Sequence, residues 1–249
     1  MVIIFGDVKQ LPPDELRQIL QQCGITRIDT AARYQNGESE KIIGQSGLAK
    51  DFTIDTKVLF SAPKDAHLSP EAINKSLDNS LKVLGLEQVN VLYCHAPDFV
   101  TPISEIAKAF DEHYRAGTVQ SIVPLAGGFL LSNFTKEGVQ GGTRFSVQTP
   151  FTKWYDHDSM HDAISKLRAI SEQSGLGMDE LSLRWLKHHS ILQDQDIIIM
   201  GAGKTKQITG SVEKMDRGPM DAQVVTSLES LWAGVEQDAA AIVDFELKP

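Results

Sequence analysis

Short apolar runs alternate with longer amphipathic stretches along most of this chain. Such alternation is typical of βα units, in which each strand of a parallel sheet is followed by a helix. The apolar runs are short enough for strands and are bounded by polar or turn-forming residues. They predict six strands, at residues 2–6, 25–30, 52–57, 89–95, 119–124 and 196–201.

Helix signals fill the intervals between these runs. Pro12, Pro13, Asp14 and Glu15 predict the start of a helix that stops at Gly24, because proline and acidic residues favour a helix N-terminus. A serine, a proline and a glutamate at residues 69–71 predict a second helix that stops at Gly85. Further helices are predicted at residues 102–115, 158–174, 178–189 and 221–241.

One glycine-rich segment, residues 126–144, interrupts this alternation. It has little periodicity and is too long for an ordinary connection between a strand and a helix, and loops of this kind are usually functional or disordered. The chain has 249 residues, which suits one α/β barrel domain or two smaller domains.

Composition narrows the classes of function. The formal charge is −9, from 24 basic and 33 acidic side chains without a basic stripe, and this excludes a typical nucleic-acid-binding surface. The two cysteines, Cys23 and Cys94, suggest neither a disulfide framework nor a cysteine-based metal site, and we predict no metal. No apolar stretch approaches the ~20 residues of a membrane span, and the N-terminus lacks a signal-peptide pattern. We therefore predict a cytoplasmic protein with no membrane partner.

Four polar side chains fall at or just after the carboxyl ends of successive predicted strands. Asp29 and Tyr34 follow the second strand, Lys57 closes the third, and His95 closes the fourth. The carboxyl ends of the strands converge on the active-site face of a parallel α/β barrel. A buried lysine needs a partner, and Asp29 lies at the matching depth. Together they would favour the phenolate of Tyr34, making its hydroxyl a general acid, while His95 would orient a carbonyl group.

Each of these residues also has an ordinary structural interpretation. Asp29 suits a helix cap or a turn, and Tyr34 suits a half-buried loop. Lys57 suits the start of a solvated loop, and His95 suits a hydrogen-bonded core histidine. The functional interpretation gains its weight from the equivalent positions of the four residues in consecutive βα units.

Several motifs around these residues resemble the NADPH-dependent aldo-keto reductases, and within them the aflatoxin B1 aldehyde reductase branch and its fungal relatives. The first group comprises GITRIDTA at residues 24–31, Tyr34 and GESE at 37–40. The second comprises IDTK at 54–57, SLKVLG at 80–85, VLYCHAPD at 91–98 and PLAGGFL at 124–130. The resemblance covers nearly the whole chain.

This resemblance implies a single (β/α) TIM-barrel type domain over residues 1–249 that transfers hydride from NADPH to an aldehyde or ketone. It implies that Tyr34 donates the proton, that Lys57 and Asp29 adjust the acidity of the Tyr34 hydroxyl, and that His95 positions the carbonyl. Asp29 is also implied as a cofactor contact. The other implied cofactor contacts are Pro124, Leu125, Ala126, Gly127, Gly128, Arg144, Gly201, Gly203, Lys204 and Gln207.

The run at residues 201–207 has a rival interpretation, because Gly203, Lys204 and Thr205 look like the end of a P-loop. The full P-loop pattern requires a glycine where this chain has Ile198. A strand followed by a glycine-rich turn and a helix N-terminus still makes an anion site. Local chemistry and the resemblance therefore agree on a phosphate, here the 2′-phosphate of NADPH.

Compared with its relatives, the chain lacks two βα units between Gly117 and Pro124. At roughly 30 residues a unit, about 60 residues are missing, so we expect an incomplete barrel with about six parallel strands instead of eight. In relatives the missing part carries the Ser-Asn pair and the glutamine that hold the nicotinamide carboxamide. Asn133 stands near a position where relatives have lysine, and Gly203 and Lys204 replace serines.

Three functional hypotheses follow from the sequence. The first is NADPH-dependent reduction of a small or polyketide-like aldehyde or ketone, in a secondary-metabolite pathway. The second is an aldo-keto reductase remnant that is catalytically impaired or inactive because it has lost part of the nicotinamide site. A third, a non-catalytic β-subunit-like partner, would require an exposed apolar face.

Overall fold

The structure is a computed structural model and describes residues 2–5, 12–59, 61, 65–95, 100–113, 134–135, 138–139, 155–193 and 196–243. Backbone contacts group the chain into two compact units. The first unit comprises Met1–Ile122 and Ile197–Gly210, and the second comprises Val123–Asp196 and Ser211–Pro249. Each unit is considered by itself below.

A five-stranded parallel sheet forms the centre of the first unit. Its strands, in chain order, are β1 (Val2–Phe5), β2 (Arg27–Asp29), β3 (Thr53–Lys57), β4 (Val91–Tyr93) and β7 (Ile199–Ala202). They are arranged in the order β4-β3-β2-β1-β7, and every neighbouring pair is parallel. Five of the six predicted strands are thus confirmed, while the one predicted at residues 119–124 lies outside the described residues.

Helices follow the strands of the first unit, as the alternation predicted. The predicted helices are present as α1 (Pro13–Gln22), α4 (Pro70–Leu84) and α5 (Ile103–His113), together with two that were not predicted, α2 (Glu38–Gln45) and α3 (Leu48–Asp51). Helix α4 has clear end signals: the Ser69 hydroxyl accepts a hydrogen bond from the Ala72 amide, and Gly85 ends the helix with φ +69°.

The apolar faces of α4 and α5 pack together beside β3 and β4. Ile73 and Leu77 of α4 join Leu92 of β4 and Ala109 of α5 in one buried cluster with Val58. The apolar positions at helical spacing therefore face the sheet. This packing fixes β3 and β4 and, with them, the side chains at their carboxyl ends.

The described residues of the second unit are mainly helical. Its helices are α6 (Asp158–Ser174), α7 (Met178–His188), α9 (Ala222–Glu229) and α10 (Trp232–Val243), while α8 (Thr205–Met215) begins in the first unit and ends in the second. One buried cluster among the described residues of the second unit comprises Met160, Ile164, Leu167, Leu181, Met220 and Ala239.

Two features of the second unit differ from the sequence prediction. The single helix predicted at residues 221–241 is wrong, because the chain forms α9 and α10 with a break at Ser230 and Leu231. The glycine-rich segment also contains two short antiparallel strands, β5 (Phe134–Thr135) and β6 (Gly138–Val139), which the lack of periodicity concealed.

Candidate active site

Three neighbouring strands bring the four predicted catalytic side chains to one place in the first unit. Asp29 is the last residue of β2, Lys57 is the last residue of β3, and His95 follows β4 by two residues. Tyr34 begins a short turn, Tyr34–Gly37, between β2 and α2. Because these strands are parallel neighbours, their carboxyl ends lie at the same edge of the sheet.

Lys57 and Asp29 form a buried ion pair. The Lys57 ammonium donates hydrogen bonds to Asp29 Oδ2 and, at 2.9 Å, to the Thr30 carbonyl oxygen. Asp29 is fully buried and the Lys57 side chain is 14% exposed. Burial raises the pKa of Asp29 to about 6, although the neighbouring Lys57 charge opposes the rise. Burial likewise lowers the pKa of Lys57, against the attraction of Asp29.

The aromatic ring of Tyr34 lies near both the Lys57 ammonium and the His95 ring. Lys57 Nζ is 4.9 Å from the centre of the Tyr34 ring, and the rings of Tyr34 and His95 are 5.6 Å apart at 83°. A cation at this distance stabilises the electron-rich face of the ring. It also favours negative charge on the phenol oxygen, so the arrangement suits a tyrosine that gives up its proton.

His95 is held in its neutral form near neutral pH. Burial lowers the pKa of His95 to about 4, and the positive charges of Lys57, Arg33 and His67 add to the effect. A neutral imidazole can donate a hydrogen bond to a carbonyl oxygen without adding a second positive charge beside Lys57.

The backbone that carries Tyr34 is left-handed over the next three residues. Gln35 and Asn36 have φ values of 53° and 57°, and Gly37 has φ +88°. Left-handed conformations are costly for residues other than glycine and are found preferentially at functional sites. The Asn-Gly pair was the one sequence signal for this turn.

Three charged residues near the site were missed by the sequence analysis. Glu40 is buried and accepts hydrogen bonds from Thr56 Oγ1 at 2.6 Å and Ser80 Oγ at 3.2 Å. Arg27 and Asp55 form an ion pair at 2.6 Å. Arg27 lies two residues before Asp29, and Asp55 lies two residues before Lys57, so the alternation of strand faces was a usable signal.

The predicted phosphate turn lies between β7 and α8. The backbone amides of Gly203 and Lys204 both donate to one oxygen, Gln207 Oε1, at 2.8 and 3.0 Å. Two amides that converge on one acceptor at a helix N-terminus also suit a phosphate oxygen. The residues of this turn therefore fit the phosphate group of a nucleotide, and Gln207 Oε1 accepts the two amide hydrogen bonds in this structure. Gly201 lies within β7, before this turn.

Six further predicted cofactor contacts cannot be placed by the structure. Pro124, Leu125, Ala126, Gly127, Gly128 and Arg144 lie outside the described residues. Within the described part of the chain, no group of three histidine, cysteine, aspartate or glutamate side chains is suited to a metal ion. A search of the same residues finds no helix long and apolar enough to cross a membrane.

The sequence profile of the Aldo/keto reductase family matches residues 5–123 and 119–233. This chain belongs to the aldo/keto reductase family. The resemblance inferred from the motifs is thereby confirmed. The chain is an oxidoreductase of a family that acts on small carbonyl compounds and generally uses NAD(P)H.

Individual relatives agree with this assignment at low sequence identity. An aldo-keto reductase from Pseudocercospora fijiensis is 24% identical, over 89% of this chain and 97% of the relative. Aflatoxin B1 aldehyde reductase member 2 from Rattus norvegicus is 24% identical, over 84% of this chain and 77% of the relative.

A solved glycerol dehydrogenase from Gluconobacter oxydans shares the fold of this aldo/keto reductase. The TM-score is 0.65 at 20% identity, covering 93% of this chain and 91% of the other. The TIM-barrel type of the fold is therefore supported, and the parallel sheet of the first unit agrees with it. The number of strands in the whole chain stays a prediction.

The alignments are also longer than the chain. The comparison with the Pseudocercospora relative runs over 290 columns, whereas 89% of 249 residues supplies about 222, so about 68 columns hold no residue of this chain. The two segments matched by the family profile meet at residues 119–123. That is the place at which the sequence motifs suggested missing βα units.

Proposed function

We propose that this aldo/keto reductase reduces an aldehyde or ketone to the alcohol, with hydride from NADPH and the proton from Tyr34. The observation that carries the proposal is the convergence of Asp29, Tyr34, Lys57 and His95 at the carboxyl ends of β2, β3 and β4. A buried ion pair, a phenol beside the ammonium and a neutral imidazole together form a proton donor directed at a carbonyl oxygen.

Each side chain has a role in the proposed reaction. NADPH, when bound, supplies the hydride that forms the new C–H bond at the carbonyl carbon. The His95 imidazole donates a hydrogen bond that orients the carbonyl oxygen, and the Tyr34 hydroxyl transfers its proton to that oxygen. The phenolate left on Tyr34 is stabilised by Lys57, which Asp29 holds in place, until Tyr34 recovers a proton from solvent.

The turn between β7 and α8 would hold the phosphate end of the cofactor. The Gly203 and Lys204 amides would donate to a phosphate oxygen in place of Gln207 Oε1. The side chains of Lys204 and Lys206 are exposed and add positive charge, which favours the 2′-phosphate of NADPH over NADH. Asp29, Pro124–Gly128 and Arg144 complete the proposed cofactor contacts.

A second candidate is a catalytically impaired remnant of the family. It is favoured by two observations: roughly 68 alignment columns hold no residue of this chain, and the family profile matches the chain in two segments that meet at residues 119–123. We propose that the gap removes two βα units and, with them, the contacts to the nicotinamide carboxamide. Cofactor affinity would then be weakened, although the four catalytic side chains remain.

A fluorescence titration with NADPH, combined with turnover of a test aldehyde, separates these candidates. The enzyme hypothesis predicts saturable binding and reduction that requires Tyr34, so Tyr34→Phe should bind NADPH but not turn over. Absence of binding would favour the remnant. Tight binding with turnover typical of full-length family members would contradict the proposed loss of affinity.

We propose a cytoplasmic enzyme of one aldo-keto-reductase-like domain, since the family match extends from residue 5 to residue 233. A role in a secondary-metabolite pathway is supported by the resemblance to fungal relatives. Comparing metabolites from cells with and without the encoding gene tests that role.

A further inference from the structure

Two ion pairs, rather than one, lie between β2 and β3 in the first unit. The first is the Lys57–Asp29 pair, and the second joins Arg27 Nη2 to Asp55 Oδ2 at 2.6 Å. The other oxygen of Asp55 accepts a hydrogen bond from Asn90 Nδ2 at 2.7 Å. Asp29 and Asp55 are both essentially fully buried, so neither carboxylate is screened by solvent.

The register of the strands places these four charges in a fixed order. Asp29 is paired in register with Asp55, so the two carboxylates are neighbours across the strands. Arg27 lies two residues before Asp29 on β2, and Lys57 lies two residues after Asp55 on β3, so all four project from the same face. Each cation bonds across to the other strand, and the two carboxylates lie between the two cations.

In this order, the charges of both Arg27 and Asp55 act on Asp29. Burial raises the pKa of Asp29, Lys57 opposes the rise, the Asp55 charge adds to it and the Arg27 charge opposes it. Asp29 Oδ1 and Arg27 Nε are buried without a hydrogen-bond partner among the described residues. One carboxylate oxygen of Asp29 therefore accepts no hydrogen bond from a described residue, while the Arg27 guanidinium is paired with Asp55.

The other charged or titratable groups around this site are few in the described residues. Glu40 of α2, Tyr34 of the preceding turn, and Tyr93 and His95 at the end of β4 surround the Lys57 end. The sequences of β1 and β7, VIIF and IMGA, contain no titratable side chain. Apart from Lys57 itself, the charges of the described residues that act on Asp29 are therefore those of Asp55 and Arg27.

We propose that Arg27 and Asp55 are positioning residues that set the charge of Asp29 and, through it, the strength with which Lys57 supports Tyr34. The catalytic part of this inference rests on the proposed function. The electrostatic part concerns the protein without cofactor and stands independently of turnover.

Removal of the negative charge of Asp55 and removal of the positive charge of Arg27 should shift the titration midpoint of Asp29 in opposite directions. Asp55→Asn removes the neighbouring negative charge and leaves Arg27 free to attract Asp29, so Asp29 should stay ionised to lower pH. Arg27→Met leaves Asp55 as an unpaired neighbour, so Asp29 should stay protonated to higher pH. We expect each midpoint to move by about one pH unit, the usual effect of one nearby charge.

The test is a carbon-13 NMR titration of aspartate carboxyl groups in the full chain without cofactor. Asp29→Asn identifies the Asp29 signal. The matched control is Asp51→Asn, which removes a carboxylate from another arginine pair of the same unit, Arg17–Asp51 at 2.7 Å, and should leave the midpoint unchanged. Arg27→Lys keeps the positive charge and should restore most of the wild-type midpoint. If one single variant does not fold, the other decides alone, because each direction is predicted separately.

Shifts of opposite sign in the two variants support the proposal, whereas no shift or shifts of the same sign overturn it. A purely structural role for the pair would not move the Asp29 midpoint in two directions. The pH profile of kcat for aldehyde reduction should move its acid limb in the same directions. If the Asp29 midpoint shifts but no aldehyde is reduced, the proposed function is refuted and the role of Arg27 and Asp55 stands. If aldehyde is reduced but the midpoint does not move, the role of Arg27 and Asp55 is refuted and the proposed function stands.

Discussion

The buried carboxyl of Asp29 should make stability depend on pH in a way that can be calculated. Its pKa is raised from 3.8 to about 6 in the folded protein, chiefly by burial. Between these values the folded state binds a proton that the unfolded state does not, so this contribution is complete below about pH 4 and is lost as pH rises through about 6. A shift of about two units corresponds to about 3 kcal/mol.

Asp29→Asn removes this contribution, since asparagine does not titrate. The unfolding free energy of the wild type minus that of Asp29→Asn should therefore fall by about 3 kcal/mol between about pH 4 and pH 7. Urea unfolding followed by circular dichroism at several pH values measures this difference. Taking the difference cancels the opposite dependence from His95, whose pKa is lowered by burial. Parallel stability curves, or a difference that grows with pH, would refute the reasoning.

Three further predictions concern packing and the phosphate turn. Gly44→Ala would place a Cβ in collision with the backbone oxygen of Val83, so we expect thermal unfolding to show a loss of about 3 kcal/mol or more. Gly210→Ala is the matched control: no atom lies within 4 Å, and a gain of about 0.5–1 kcal/mol is expected. Glu40→Leu should lower the free energy of unfolding in urea by about 1–3 kcal/mol, because two buried hydroxyl groups lose their acceptor. Glu40→Gln should recover part of this loss. Equal losses in the two variants would contradict the prediction. Gln207→Glu should weaken NADPH binding in a titration by placing a carboxylate at the Gly203 and Lys204 amides, whereas unchanged affinity would show that phosphate binds elsewhere.

The strands and the positions of the proposed catalytic residues could be predicted from local sequence patterns. The apolar runs became β1, β2, β3, β4 and β7, because the strands of a parallel sheet are apolar where both faces are covered. Asp29, Lys57 and His95 could be placed because a polar residue that ends an apolar strand has one expected position in a βα unit.

The features that were missed depend on side-chain contacts that no short pattern specifies. The break between α9 and α10 has no glycine or proline. Instead, the hydroxyls of Thr226, Ser227 and Ser230 donate to backbone carbonyl groups of the preceding turn, and such bonds compete with helix geometry. The pairing of Arg27 with Asp55 required the register of β2 against β3, which the sequence analysis did not derive.

The proposed loss of two βα units is the main physical argument against full activity. The proposed phosphate turn and the four proposed catalytic side chains lie in the first unit, whereas the proposed gap would remove the contacts to the nicotinamide. Chemistry and cofactor affinity are therefore expected to be affected differently. Measurements at saturating NADPH isolate the chemistry from the weakened binding.

The rate of NADPH consumption with a test aldehyde, at saturating NADPH, in the wild type and in Tyr34→Phe tests the central claim most directly. Loss of a general acid costs on the order of 10²–10⁴-fold in rate, and we expect the Tyr34→Phe rate to fall by that factor while NADPH binding is retained. Equal rates in the two proteins, or no consumption by a wild type that binds NADPH, would contradict the assignment of Tyr34 as the proton donor of a working reductase.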